Sequence, residues 1–500
     1  MQELWENFTR RTGELDALAG AMGLLEWDQQ TYMPRGSGAV RGAQSAALGR
    51  LHHQLSVDPD LGSWLQQLQK QKLDELKTAA VRNAWRRYQR STLLPSRLVE
   101  ELAVARTEGF AAWMRAREVA DFAPYSAALQ RLIDLNREAA ERLAVIGPVK
   151  HPYDALLEDF DPGSTVAELA PMFKRLSAGL QVFLKAIEGK EGPAALELKL
   201  DTDGQRRISM RLLKDLGFDL SVGRLDEAEH PFTVGMDRSD VRLTTHLHED
   251  NFLATLGGTV HECGHGLYEQ GLRGDWAGTG VNRAAGAGIH ESQSRFWENF
   301  IGRSLPFFRY LVPRMTGIWP NLSLTPEQIF GGANRVSRSL IRIFADEVTY
   351  NLHIVARFEL EVALFEGKLQ AADLPDAWNA AYARNVGVVA ENPRDGILQD
   401  VHWSSGLFGY FPSYTIGNLY AASFGACIAG DLPDLWTRVE AGDFAPILGW
   451  LREKVHARGH IKDAPEIYRE IAGNRDPVED LLSHIWSRQG KLYGVSRPAE

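Results

Sequence analysis

The residues best suited to chemistry stand together at His261-Glu262-Cys263-Gly264-His265. Residues four apart share one face of a helix, so both imidazoles can reach a single ion. Glu262 lies about 100° further round and can address a water on that ion instead of the ion itself. Five residues thus specify two ligands and a base. The competing reading is two buried or surface histidines that only share a helix face. A catalytic zinc also needs a third protein ligand and an open position, and that ligand usually comes from another element. His290-Glu291-Ser292-Gln293 offers two candidates. Glu291 is favoured, at the start of a helical stretch with Phe296, Trp297, Phe300 and Ile301, and His290 is read as its neighbour; spacing alone leaves the reverse open. Between the two motifs, Gly271, Gly274, Gly278, Gly280, Gly286 and Gly288 let the chain turn back toward the first helix.

A zinc with three protein ligands lowers the pKa of its bound water toward about 7 and polarises a carbonyl, which is the chemistry of peptide hydrolysis at neutral pH. His and carboxylate donors also accept cobalt or another divalent ion. A closed structural zinc would prefer Cys-rich ligands, which argues against a helical binding protein with a structural metal. Cys263 turns away from the histidine face and reads as a small core residue, as does Cys427 among Ala421, Ala422, Phe424 and Ala426. His52, His53, His151, His353, His456 and His460 are scattered, without partners in sequence.

The elements that position these groups are mainly helical. Leu98, Leu102, Ala105, Ala112 and Trp113 recur at helical spacing, as do Leu169, Met172, Phe173, Leu176, Leu180, Phe183 and Leu184. Met33-Pro34-Arg35-Gly36, Leu94-Pro95-Ser96, Gly147-Pro148, Asp161-Pro162-Gly163, Gly192-Pro193 and Asn392-Pro393 mark turns or helix boundaries. One region departs from this pattern. Val241, Leu243, Thr245 and Leu247 alternate with Arg242, Thr244, His246 and His248 after Phe232-Thr233-Val234, which predicts a small β-ribbon just before the motif helix, with an edge on which an extended peptide could pair.

Composition narrows the function classes. The chain is 44% hydrophobic and 24% charged, an ordinary globular balance, and 55 basic against 65 acidic side chains give -10, which repels polyanions. Nucleic acid is excluded as an expected partner. No apolar run approaches the roughly 18 residues of a membrane span. Two cysteines cannot staple 500 residues, and Met1-Gln2-Glu3-Leu4-Trp5 does not open a secretory signal, so a cytoplasmic location is expected.

In this context the chain resembles the carboxypeptidase Taq family of zinc metallocarboxypeptidases. The resemblance rests on ordered motifs: His230-Pro231-Phe232, Asp240-Val241-Arg242-Leu243-Thr244, the His261 to His265 motif, His290-Glu291-Ser292-Gln293, Ile341-Arg342-Ile343-Phe344-Ala345-Asp346 and Gly396-Ile397-Leu398-Gln399-Asp400-Val401-His402-Trp403. Trp27-Asp28 with Tyr32-Met33-Pro34, and Gly409-Tyr410-Phe411-Pro412-Ser413-Tyr414, extend it over essentially the whole chain. Departures occur at His246, where the family tends to have Arg, in the loop Gly280-Val281-Asn282-Arg283-Ala284-Ala285, and at Phe344, an often acidic position.

The resemblance implies a large, mainly α single-chain fold with a deep central cleft, and release of C-terminal residues from peptides with a free C-terminus and broad residue preference. It also implies a homodimer. Its metal ligands would be His261, His265 and Glu291, and its general base Glu262; the chain is also similar to the wider helical peptidase group that includes angiotensin-converting enzyme around His402 and Tyr414, which implies that these two bracket the reacting carbonyl. A terminal carboxylate suits a guanidinium's paired hydrogen bonds, which makes Arg342 and Arg242 the candidate readers, with His230 as a further substrate contact. An endo- or aminopeptidase on the same metal site is the alternative. Length alone would suggest about three domains at roughly 150 residues each. The spread of site residues instead predicts one domain over 1–500, with 1–220 as helical wall, 221–430 as catalytic core and 431–500 as C-terminal helices.

Overall fold

The computed structural model describes residues 1–146 and 149–498; the turn expected at Gly147-Pro148 lies outside them. The chain is 66% helical with one small three-stranded sheet, the mainly α class that the hydrophobic spacing predicts. It divides into two compact units. The first comprises Met1–Ser91, Ala194–Ala333 and Tyr420–Arg475, and the second Thr92–Pro193, Asn334–Leu419 and Asp476–Glu500. The segments expected as wall, core and C-terminal helices are each distributed over both.

In the first unit the motif helix runs Phe252–Gly271 and starts where the Asn251 side chain accepts from the Ala254 N–H at 3.3 Å. Phe252, Leu256, Val260, Cys263 and Leu267 form a buried stripe at helical spacing. Burying each large side chain contributes about 1.5–3 kcal/mol, so the stripe fixes how the helix is turned and hence where its neighbouring face presents His261, Glu262 and His265. A second helix, Ala287–Arg295, carries Glu291 and continues into a π-helical turn, Phe296–Ile301, in which all six residues are buried.

The sheet lies beside the motif helix. Its strands are β1 (Gly223–Glu227), β2 (Thr233–Asp237) and β3 (Asp240–Thr245), in the order β1-β3-β2. β1 and β3 are parallel, with Gly223 opposite Val241; β2 and β3 are antiparallel, with Thr233 opposite Leu243. The expected small ribbon therefore gains β1, whose Gly-Arg-Leu-Asp-Glu text holds one large apolar residue and is too short to reveal it. It also loses Leu247, because the Thr255 hydroxyl donates to the His246 carbonyl (3.1 Å) and accepts from the His248 N–H (2.8 Å), so the backbone leaves the ladder.

In the second unit, Ser96–Val119 and Val166–Ala186 are helices whose predicted apolar residues are buried, Met172 excepted. Ile341, Phe344 and Ala345 around Arg342 fall at helical spacing, yet no α-helix forms there. Arg342–Phe344 is a single 3-10 turn, and Ile343 and Phe344 face solvent. The segment is organised by the Asp346 carboxylate, which accepts from the backbone N–H groups of Ser337 (3.0 Å), Val348 (2.9 Å) and Thr349 (3.1 Å) and from the Thr349 hydroxyl (2.7 Å). A side chain that takes up three backbone donors replaces helix as the local solution.

Candidate functional site

The approach of the two site helices depends on the glycine inside the motif. A Cβ on Gly264 would sit 2.6 Å from the Gln293 carbonyl oxygen and 2.6 Å from the Ser294 Cα, both rigid backbone. Only glycine allows this spacing. It brings Glu291 Oε2 to 3.6 Å from His261 Nε2 and 3.4 Å from His265 Nε2. The three donor atoms lie within 4.8 Å of one another, the single such cluster of His, Cys, Asp and Glu among the described residues. Two imidazole nitrogens and a carboxylate oxygen facing one point form a donor set that suits a divalent first-row ion, so the residues present fit the metal the motif implies.

His290 is the neighbour, outside that cluster. Its Nε2 is 2.8 Å from Glu269 Oε1, and its ring stacks on His265 with centroids 4.3 Å apart and planes at 17°. Burial, aided by His290, pulls His265 down to about 3. Burial also works against a charged His261, but Glu291 and the Glu298 hydrogen bond outweigh it and raise its pKa. Burial would raise Glu291 as well; Arg295, whose Nε donates to Glu291 Oε1 at 2.6 Å, together with the two histidines holds this carboxyl well below the usual range.

Glu262 is 6% exposed. The Thr233 hydroxyl on β2 donates to its Oε2 at 2.7 Å and to its backbone carbonyl at 3.1 Å, so the sheet braces the side chain expected to act as base. Burial lifts its pKa, opposed by His261 and Thr233. Cys263 is fully buried, and burial pushes its thiol up, away from the reactive thiolate.

Two further predicted residues belong to the sheet region of this unit. Arg242 makes a paired contact with Asp240 (Nε to Oδ1 2.9 Å, Nη2 to Oδ2 3.0 Å), and its guanidinium lies 4.4 Å from the centroid of the Trp27 ring. His230 is exposed, and its backbone carbonyl accepts from the Thr244 hydroxyl at 3.3 Å.

Arg342, His402 and Tyr414 come together in the second unit. Arg342 donates through Nε (3.1 Å) and Nη2 (2.8 Å) to Asp400 Oδ1 and through Nη1 to the Tyr350 hydroxyl (3.0 Å), and it lies 5.0 Å from the centroid of the Tyr414 ring. Arg357, fully buried, donates to Asp400 Oδ2 at 2.7 Å, so two guanidiniums share one carboxylate. His402 Nε2 is 3.2 Å from the Tyr414 hydroxyl. Burial takes His402 down to about 3, with Arg342 and Arg357 adding to it against Asp400, so its ring is neutral at physiological pH.

Sequence reasoning missed Thr233, Arg295, Glu298 and Arg357. A signal existed for three of them. Arg295 and Glu298 fall four and seven residues after Glu291, on one helical face, and Arg357 with Glu361 forms a charged pair four apart in the mostly apolar helix Tyr350–Phe365. Of the histidines read as ordinary, His353 and His456 are buried and hydrogen-bonded to Tyr382 and Gln293.

The family model described as carboxypeptidase Taq (M32) metallopeptidase matches residues 7–489. The chain is 41% identical to thermostable carboxypeptidase 1 of Thermus thermophilus over 97% of this chain and 98% of that protein, and 34% identical to carboxypeptidase 1 of Bacillus subtilis over 95% of each. Among solved structures, the M32 carboxypeptidase from Deinococcus radiodurans R1 superposes with a TM-score of 0.95 at 35% identity, covering 99% of this chain and 100% of that one.

Proposed function

The chain belongs to the carboxypeptidase Taq (M32) family of metallopeptidases, and on that premise we propose that it releases residues from peptide C-termini with Glu262 as general base, at a divalent metal held by His261, His265 and Glu291. It is a metallocarboxypeptidase, a peptide hydrolase, as its family and homologues are. The main support for this assignment of roles is the convergence of His261 Nε2, His265 Nε2 and Glu291 Oε2. When bound there, a divalent ion, zinc or alternatively cobalt, supplies Lewis acidity to the scissile carbonyl and acidifies water.

The protein's own groups do the rest. Thr233 holds Oε2 of Glu262, leaving Oε1 to accept a proton from the attacking water and return it to the leaving amine. His402 and Tyr414 are proposed as neutral donors to the oxyanion, each such donor worth roughly 3–4 kcal/mol in comparable sites; the support is the family resemblance together with their adjacency, Nε2 to hydroxyl 3.2 Å, a contact that the donor must give up to reach the oxyanion. For the terminal carboxylate, charge favours Arg342. Arg342 shares the Asp400 carboxylate with Arg357, whereas Arg242 is matched one to one by Asp240. Arg242 and the exposed His230 are kept as further substrate contacts.

The rest of the proposal concerns context. We read 1–500 as one catalytic domain, supported by a family model spanning residues 7–489, acting as a cytoplasmic homodimer on peptides of varied sequence. The charge of -10 supports peptides over nucleic acid as partners, and among the described residues no helix is long and apolar enough to cross a membrane.

Glu262→Gln is expected to abolish turnover while metal content stays at the wild-type level; a retained rate would sink the mechanism. Peptides with an amidated C-terminus are expected to lose most of their turnover. Cleavage of those peptides at the rate of free acids would instead favour an endo- or aminopeptidase.

A further inference from the structure

We infer that Glu298 is a positioning residue of the metal centre: held between Arg295 and Arg303, its carboxylate fixes His261 with Nε2 as the donor atom and sets how tightly the site binds a divalent ion. The inference rests on the reading of His261, His265 and Glu291 as ligands.

The geometry is specific. Glu298 Oε2 lies 2.9 Å from His261 Nδ1. A carboxylate can only accept, so Nδ1 carries the proton and the Nε2 lone pair is left facing Glu291. An anionic acceptor behind an imidazole also makes the opposite nitrogen a stronger donor to a metal. Glu298 is itself pinned at both oxygens, by Arg295 Nη1 on Oε2 (3.1 Å) and Arg303 Nη2 on Oε1 (3.1 Å). Arg295 also holds Glu291 Oε1 at 2.6 Å, which leaves Glu291 Oε2 as the oxygen facing both histidines. Glu291, Arg295 and Glu298 therefore form an alternating charge row that ends on His261.

The two histidines are not supported alike. His265 Nδ1 is buried without a hydrogen-bond partner, and its ring is held by stacking on His290. Only His261 has a charged residue behind it, so nothing at His265 substitutes for Glu298. The rival explanation is that Glu298 only neutralises Arg295 and Arg303 within the fold. That explanation predicts equal harm from removing Glu298 or Arg303.

The test is a titration of metal-free, full-length protein with Zn2+ against a chromophoric chelator, with the visible spectrum of the Co2+ form as a second readout. Glu298→Gln is expected to raise the Zn2+ dissociation constant by about 10- to 100-fold, the range for outer groups that orient metal ligands, and to alter the Co2+ spectrum. Glu298→Asp, which keeps the charge, is expected to recover part of the loss. Arg303→Gln leaves the Glu298–His261 bond and the Arg295 contact in place and is expected to weaken Zn2+ binding much less than Glu298→Gln does.

Wild-type affinity in Glu298→Gln overturns the inference, and so does weakening by Arg303→Gln as large as that by Glu298→Gln. If Glu298→Gln does not yield folded metal-free protein, Glu298→Asp decides, through weaker Zn2+ binding and a changed Co2+ spectrum; wild-type values of both reject the role. Failure of the ligand reading looks different, since wild-type protein would then bind no stoichiometric Zn2+ or His261→Ala would bind it normally.

Discussion

Glu361 should make the stability of the protein depend on pH in an unusual direction. It is 0% exposed in the second unit and accepts from the Tyr153 hydroxyl, from Trp403 Nε1 at 2.6 Å and from the Gly409 N–H at 3.0 Å. Even with these donors and with Arg357 nearby, burial pushes its pKa from 4.5 up to about 7. A group whose folded pKa lies above its unfolded pKa binds protons more strongly in the folded state. Its stabilising contribution is full below pH 4.5, declines as pH rises, and is lost above pH 7. At 1.36 kcal/mol per pH unit the swing is about 3 kcal/mol, most of it between pH 5 and pH 8. Glu361→Gln cannot ionise and lacks this slope. Its amide keeps one acceptor oxygen but turns an NH2 group toward the donors, which adds a pH-independent cost of about 1–3 kcal/mol for an unsatisfied buried group. Urea unfolding of both proteins at pH 5, 6, 7 and 8, followed by tryptophan fluorescence, isolates the effect, because other titrating groups cancel in the difference. The stability of wild type relative to Glu361→Gln should fall by about 2–3 kcal/mol across that range. A difference that stays constant from pH 5 to pH 8 would refute the buried-charge argument.

Three further outcomes are expected. Gly264→Ala forces its methyl into the Gln293 and Ser294 backbone at 2.6 Å, so the helices must part; Zn2+ affinity and thermal midpoint should both fall, the latter by the equivalent of roughly 1–3 kcal/mol. Asp400→Asn leaves Arg342 and Arg357 facing a neutral amide and should destabilise the protein by about 3–5 kcal/mol in denaturant unfolding at pH 7. Because the Asp400 carboxyl is held well below its usual 3.8 by the two arginines despite burial, this loss should persist in mildly acid solution and fade only at lower pH. Removal of metal by a chelator should abolish turnover and lower the thermal midpoint, and Zn2+ or Co2+ should restore both; binding at about 1,000 times the dissociation constant contributes about 4 kcal/mol.

What was legible in the sequence follows from the range of each interaction. Leu169 to Leu184 is a helix because every residue of its buried stripe lies within one or two turns of the next, and the same locality let His261 and His265 be read as two ligands on one face. Nearest-neighbour spacing fails where a side chain substitutes for backbone structure. Asp346 gathers three N–H groups, and the segment around Arg342 becomes a turn although its apolar residues suggest a helix. It fails again at β1, an edge strand with a single buried residue, whose pairing with β3 is set by the partner strand.

Buried charges are the hardest to read, because they are satisfied by residues distant in the chain. Tyr153 is 208 residues from Glu361, and Asp400 is 43 from Arg357. A charged residue in an apolar helix announces that such a partner must exist, since an unpaired buried charge would cost several kcal/mol, but it does not say which residue the partner is. The motif residues and their supports therefore differ in kind. His261, Glu262 and His265 are recognisable because their chemistry requires a fixed spacing on one helix. Thr233 is constrained only by where folding brings its hydroxyl, 2.7 Å from Glu262 Oε2, so many sequences could brace the same base from a different strand position. Substitution at such a bracing position should be tolerated whenever another donor reaches the same oxygen, whereas no compensating change elsewhere restores a site that has lost His261.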